Sequence, residues 1–284
     1  MNLLDSGSLQ GRHVLISGAN TGIGRVTARE LARRGAHVFV AGKSRERTQP
    51  LIDEVKAISG AGSIEWLSLD LADLDSVRAC AAEYLARHIP LHILINNAGV
   101  AASKGLTKDG YEMAFGVNHL GHFLLTKLLL DHIKSSAPAR IVTVASRAHT
   151  RSKAFEWEFL KQPTRTVTAL DEYAQSKLAN VLFSAELARH LQGTGVTTYS
   201  LHPGVVATEV WRHVPWLLKP LLRLVGMITP EEGGKTTLHC ATAPELANET
   251  GLYYDRCKPR EPSAMGQDAA LASELWRVSE KFIG

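Results

Sequence analysis

Cysteine is scarce in this chain: Cys80, Cys240 and Cys257 are all there is among 284 residues. Three thiols cannot build a paired framework, and their spacing matches no metal site, so a disulfide scaffold is excluded and a reducing compartment is expected. No Pro-, Gly- or Ser-rich linker divides the chain, which makes residues 1–284 read as one domain large enough for a sizeable core. Charge of one sign is nowhere concentrated. The net charge of +4 is spread along the sequence without a basic stripe, so no nucleic-acid partner is expected. Met1 to Gly11 is polar and short, neither a signal peptide nor a membrane span, and the expected localisation is cytoplasmic. What is present is ordinary for a globular protein, 45% hydrophobic and 21% charged; that balance excludes a disordered or collagen-like chain.

The most informative stretch is Tyr173-Ala174-Gln175-Ser176-Lys177. It lies in a segment from Asp171 to about Leu191 with an apolar stripe of Leu178, Val181, Leu182, Ala185 and Leu187, which predicts an amphipathic helix. The four-residue spacing puts Tyr173 and Lys177 on one face. A free tyrosine titrates near pH ~10, and a fixed cation beside it favours the phenolate, bringing a general acid or base into the neutral range. The alternative is a surface Tyr and Lys on a soluble helix.

The chain before this helix alternates strand and helix. His13 to Ser17 reads as a buried strand, followed by Gly18-Ala19-Asn20-Thr21-Gly22-Ile23-Gly24 and a helix from Arg25 to Arg34. A glycine turn between strand and helix lets backbone approach a pyrophosphate at the positive end of a helix; the same glycines would also serve a plain tight turn. A second strand, His37 to Ala41, ends in Gly42-Lys43-Ser44-Arg45. A carboxylate for a ribose 2′-hydroxyl is missing there, while Lys43 and Arg45, joined by Arg25, would suit a 2′-phosphate, so NADP(H) is favoured over NAD(H). Against this stands the reading of solvated charges at a helix start.

A third strand, Ile64 to Leu69, runs into Asp70-Leu71, where Asp70 would either meet an adenine ring or cap the helix from Asp73 to Arg87. The fourth, Leu91 to Ile95, leads to Asn96-Asn97-Ala98-Gly99, a turn of small residues on which a flat ligand would lie closely. A long helix is predicted from about Lys108 to Lys134. Within it Asn118 is a poor helix former that needs buried partners, and His119 and His122 lack a clear third ligand, so no metal is expected. The fifth strand, Arg140 to Ala145, ends in Ser146, whose hydroxyl would hold a substrate oxygen. A nucleophile elbow is absent around it, which removes acyl transfer.

The sixth strand, Val196 to Leu201, is followed by Pro203, Gly204, Val206 and Thr208, placed to meet a nicotinamide carboxamide. The apolar and basic stretch from Val210 to Met227 is too short and too charged to cross a bilayer. It reads as part of a lid over an apolar substrate at about 208–230, as an interfacial amphipathic segment in peripheral contact with a membrane, or as a subunit contact; monomer and homo-oligomer both stay open. A helix at Glu231 to Ala241, a strand at Leu252 to Tyr254 and a helix at Asp268 to Phe282 complete the chain. The alternation implies an α/β fold, a parallel sheet with helices on both faces.

Gly18-x-x-x-Gly22-x-Gly24, Asn96-Asn97-Ala98-Gly99, Asn118, Ser146, Tyr173-x-x-x-Lys177 and Pro203-Gly204 occur in one order over nearly the whole chain. In that set the sequence resembles the short-chain dehydrogenase/reductase family, and Leu91–Val100, Val117–Phe123 and Ser176–Phe183 resemble its retinol dehydrogenase branch. The resemblance implies a Rossmann-type doubly wound sheet of about seven strands in the order 3-2-1-4-5-6-7 and the reversible interconversion of an alcohol with an aldehyde or ketone. Carried over, Tyr173 exchanges the proton at the substrate oxygen and Ser146 holds that oxygen. Lys177 binds the nicotinamide ribose and lowers the Tyr173 pKa, and Asn118 holds a water. Gly18, Gly22 and Gly24 cradle the pyrophosphate with Asn20, Thr21 and Ile23, while Asp70, Leu71, Asn97, Ala98 and Gly99 complete the dinucleotide site. Ala145 stands where many relatives have a second serine. The substrate expected is a bulky apolar carbonyl compound or alcohol, with a retinoid-like shape among the candidates; the competing expectation is a dinucleotide-sensing binding protein without turnover.

Overall fold

The computed structural model, which describes residues 8–58, 60–204 and 228–284, places every strand in one sheet of order β3-β2-β1-β4-β5-β6-β7-β8. The strands β1 (His13–Ser17), β2 (His37–Gly42), β3 (Ser63–Ser68), β4 (Ile93–Asn96), β5 (Ala139–Val144), β6 (Val196–His202) and β7 (Leu252–Asp255) are parallel to their neighbours. An eighth, β8 (Lys258–Arg260), returns antiparallel to β7. The seven expected strands are therefore in the expected order, and β8 is an addition. It follows a two-residue turn in which Arg256 and Cys257 have φ of 52° and 59°, a conformation the sequence does not announce because neither residue is Gly or Asn.

Successive strand residues point to opposite faces, and two cores result. Leu15, Phe39, Leu67, Leu94 and Ile141 belong to one; Val14, Ile16, Val38, Val40, Ile95 and Val142 belong to the other. Helices α1 (Gly22–Arg33) and α2 (Arg45–Lys56) supply the second core, together with α7 (Pro230–Thr242). The first is covered by α3 (Leu74–Leu85), α5 (Gly121–Ser135), α6 (Leu170–His190) and α8 (Ala269–Ile283). The Ser44 hydroxyl and the Asp73 carboxylate accept backbone N–H bonds at the starts of α2 and α3, satisfying orphan donors there. Asp73 thus caps α3, and Asp70 does not. Thr229 and Pro230, expected in the lid, are the N-cap and first residue of α7. Residues 208–227 of the expected lid, and Val206, lie outside the described residues.

The long helix expected from Lys108 begins later. Gly110 takes φ of 80°, the Thr107 N–H bonds the Tyr111 carbonyl at 2.8 Å, and Leu106 bridges Glu112. Only then does a single turn α4 (Met113–Phe115) start, with the Glu112 carboxylate accepting from the Phe115 N–H at 2.9 Å. A π-helical turn, Gly116–Leu120, separates α4 from α5. Such turns cluster at functional sites, and this one contains Asn118.

The chain runs outward from β1 to β3 on one side and from β4 to β7 on the other. This reversal leaves a crevice beyond the carboxyl ends of β1 and β4, the position at which open α/β sheets bind ligands. Ser17 and Asn96, the last residues of those two strands, mark it.

Candidate active site

Backbone in the crevice is packed too tightly for side chains. A Cβ on Gly18, whose φ is 67°, would sit 2.7 Å from the Ala98 Cβ, and one on Gly24 would sit 2.5 Å from both the Asn97 Nδ2 and the Gly18 carbonyl. Asn97 closes the pair of turns, its Nδ2 donating to the carbonyls of Ser17 at 2.8 Å and Gly18 at 3.1 Å. Helix α1 then begins at Gly22 with no side-chain cap from Thr21 and no acidic residue in its first turn. Its leading N–H groups and positive dipole end are thereby left for an anion. Gly18, Asn20, Thr21, Gly22, Ile23, Gly24, Asn97 and Ala98 are brought together as a cradle that fits a dinucleotide pyrophosphate.

At the end of β2 the Lys43 ammonium pairs with the Asp70 carboxylate at 2.8 Å. Asp70 also accepts from the Ala72 N–H at 2.8 Å. Arg25 is held by Glu54 at 2.6 Å. Leu71 is buried, with its carbonyl against Gly121. Pro203 and Gly204 follow β6 directly, and the φ of 93° at Gly204 suits a residue without Cβ.

The catalytic candidates converge on the other side of β4. Asn118 is fully buried and uses its whole amide. Its Oδ1 accepts from the Val100 N–H at 2.8 Å, and its Nδ2 donates to the Val100 carbonyl at 3.0 Å and to the Ser176 hydroxyl at 2.9 Å. Ser176 in turn donates to the Tyr173 carbonyl at 2.8 Å. The amide therefore ties the turn after β4 to the segment of α6 that lies between Tyr173 and Lys177. A Cβ on Gly99 would meet the Asn118 Oδ1 at 3.1 Å and the Lys177 Nζ at 3.4 Å, so these three groups share one small volume.

Lys177 is only 4% exposed. Its Nζ donates to the Val144 carbonyl at 2.9 Å, which also accepts from the Asn180 Nδ2 at 3.2 Å. Burial pushes the Lys177 ammonium down to about 8. Tyr173 is buried beside it, with the Lys177 Nζ 5.8 Å from its ring centroid. Burial pushes the Tyr173 phenol above its ordinary value, and the opposing pull comes from the Ser146 hydroxyl next to it. The loss of water around the phenol outweighs that hydrogen bond.

Ser146 caps a 3-10 turn, Arg147–Arg151, its hydroxyl accepting from the Ala148 N–H at 3.1 Å. Its carbonyl accepts from the His149 Nδ1 at 2.6 Å, and the His149 Nε2 accepts from the Ser263 N–H at 3.1 Å. No motif singles out His149 or Ser176 as a relay, whereas Ser17 carries one signal, a polar residue closing an apolar strand at the crevice. His119 and His122 diverge: His119 meets Ser279 at 2.9 Å, and His122 meets Ser17 at 2.8 Å.

The arrangement can bind a dinucleotide through backbone, hold an oxygen at Ser146 and exchange a proton at Tyr173. Comparison with known proteins points to one family. A family model described as short chain dehydrogenase matches residues 12–158. Retinol dehydrogenase 12 of Mus musculus is 46% identical over 279 residues, covering 97% of this chain and 87% of that protein. Retinol dehydrogenase 14 of Homo sapiens is 42% identical over 299 residues, with coverage of 99% and 88%. Among solved structures, an uncharacterised protein from Mycobacterium paratuberculosis superposes with a TM-score of 0.79 at 34% identity, covering 100% of this chain and 97% of that one. The Pseudomonas aeruginosa RhlG/NADP active-site complex superposes with a TM-score of 0.68 at 25% identity, with coverage of 93% and 98%.

Proposed function

The chain belongs to the short-chain dehydrogenase family, and from that premise we propose that it is an NADP(H)-dependent oxidoreductase acting on a bulky apolar alcohol, aldehyde or ketone of retinoid-like shape. The observation that carries this reading is the convergence of Tyr173, Ser146, Asn118 and Lys177 beside the glycine cradle. The nicotinamide, when bound, supplies or takes up the hydride. The protein's own part is positional and acid–base. The Ser146 hydroxyl holds the substrate oxygen, and the Tyr173 phenol, protonated at neutral pH, gives that oxygen its proton on reduction and recovers it on oxidation. Lys177 and Asn118 fix the ribose side of the site and the spacing to α6. The names of the relatives favour the retinoid-like substrate.

The choice of NADP(H) rests on Lys43, 65% exposed at the carboxyl end of β2 where a ribose-binding carboxylate is missing. Its pairing with Asp70 holds the ammonium at that edge. A peripheral membrane contact and a lid that ends before Thr229 belong to the same reading. In the decisive experiment, NADPH oxidation is followed across a panel of apolar aldehydes and ketones for the native protein and Tyr173→Phe. Turnover should fall roughly 10² to 10⁴-fold in the variant, with dinucleotide binding retained. Near-native turnover would sink the mechanism. Lys43→Ala should weaken NADPH binding and leave NADH binding as it was; equal effects on both would remove the cofactor preference.

A further inference from the structure

His122 has no part in the chemistry above, yet its ring is 1% exposed and joins the two halves of the site. Its Nδ1 lies 3.0 Å from the Asn118 carbonyl oxygen and its Nε2 lies 2.8 Å from the Ser17 hydroxyl. A carbonyl only accepts, so Nδ1 carries the hydrogen and, in a neutral ring, Nε2 must accept. Ser17 is then the donor to Nε2. Its oxygen still accepts two bonds, from the backbone N–H groups of Asn97 and Ala98 at 3.0 Å each. Every donor and acceptor is used once, and the assignment needs a neutral imidazole. Burial supplies that condition, pushing the His122 ring down to about 4.

The bonds continue in one direction across the site. From the Asn97-Ala98 turn they pass through Ser17 and His122 to the Asn118 backbone, and from the Asn118 amide through Ser176 to the Tyr173 carbonyl. We propose that His122 is a positioning residue for hydride transfer: it sets the dinucleotide-binding turns at Ser17 and Asn97-Ala98 in register with the Asn118 turn, and hence with Tyr173. This rests on the oxidoreductase reading of the same site. Removing the imidazole leaves the Asn97 and Ala98 N–H groups bonded to Ser17, so the cradle survives, while its registration with Tyr173 is loosened and rests on the Asn118–Val100 bonds.

The test measures kcat, the NADPH dissociation constant by fluorescence titration and the unfolding midpoint for His122→Leu, Ser17→Ala and the double variant. His122→Leu keeps the volume and removes both bonds. Its kcat per folded molecule should fall roughly 10- to 100-fold, the effect of a small misplacement of reacting groups, with the NADPH dissociation constant within about threefold of native. In the double variant the two losses in kcat should fail to multiply, because either change alone cuts the same link. A kcat within about twofold of native, or losses that multiply, overturns the proposal. Histidine 15N resonances of the native protein give a readout that needs neither variant folding nor turnover. The His122 ring should be the neutral Nδ1–H tautomer at pH 6 to 8, and an Nε2–H tautomer or a charged ring overturns the link. If the native protein turns over none of the carbonyl panel, the oxidoreductase reading fails, and the tautomer still decides whether the link exists.

Discussion

Replacing Lys177 with Met should make this protein more stable and inactive. The native ammonium is buried at 4% exposure, and among the described residues it donates one hydrogen bond, to the Val144 carbonyl. Its pKa is about 8 in the fold against an ordinary 10.5. At about 1.36 kcal/mol per pH unit, keeping that charge buried at pH 7 costs roughly 3 kcal/mol. The lost hydrogen bond offsets about 1 kcal/mol of the gain, and the Val144 carbonyl keeps Asn180 as a donor. The variant should therefore gain about 2 kcal/mol at pH 7, or several degrees in melting temperature. The pH dependence supplies a second check. A lysine whose folded pKa is depressed loses its proton first in the folded state, so native stability rises between pH 8 and 10.5 and the advantage of Met shrinks over that window. Urea unfolding of both proteins at pH 7.0 and 9.5 measures this. A variant less stable than native at pH 7, or a difference that stays constant with pH, would refute the desolvation argument.

Gly18→Ala places a Cβ 2.7 Å from the Ala98 Cβ at a φ of 67°, so it should cost about 1 to 3 kcal/mol of stability and abolish NADPH binding by titration; retained affinity would show that the cradle is not the dinucleotide site. Acid should destabilise the protein early. Burial pushes His119 down to about 3 and His122 and His202 to about 4, from an ordinary 6.5. The unfolded chain takes up these protons first, so the stability is intact above pH 6.5 and is lost as pH falls from there toward 4, at up to about 4 kcal/mol per pH unit for the three together. A urea midpoint that is flat from pH 6.5 to 5 would contradict this.

The strands were readable because apolar runs end in glycine, asparagine or serine turns, whereas their order in the sheet and the role of the glycine turn came only with the family resemblance. Tyr173 and Lys177 were readable from a four-residue step on an apolar helix. The start of the Asn118 helix was not. Residues 108–112 hold Asp109-Gly110, a turn pair masked by the apolar run that follows it, and a local bridge between Leu106 and Glu112 keeps the segment out of the helix. The β8 hairpin was hidden for a related reason, since Arg256 and Cys257 hold left-handed φ without being residues that favour it.

The least legible feature was the sign of a pKa. Sequence places a cation near a phenol, but only packing shows how much water each has lost. Burial moves Tyr173 up and Lys177 down, both toward the neutral form. At neutral pH the phenol is therefore a proton donor at rest. The Lys177 charge that survives at neutral pH is held in a medium of low effective dielectric, where it acts more strongly on a neighbouring group than it would in water. The desolvation that makes this lysine destabilising is thus also the source of its influence on any oxygen that loses a proton beside it. A design that relieved the first would surrender the second.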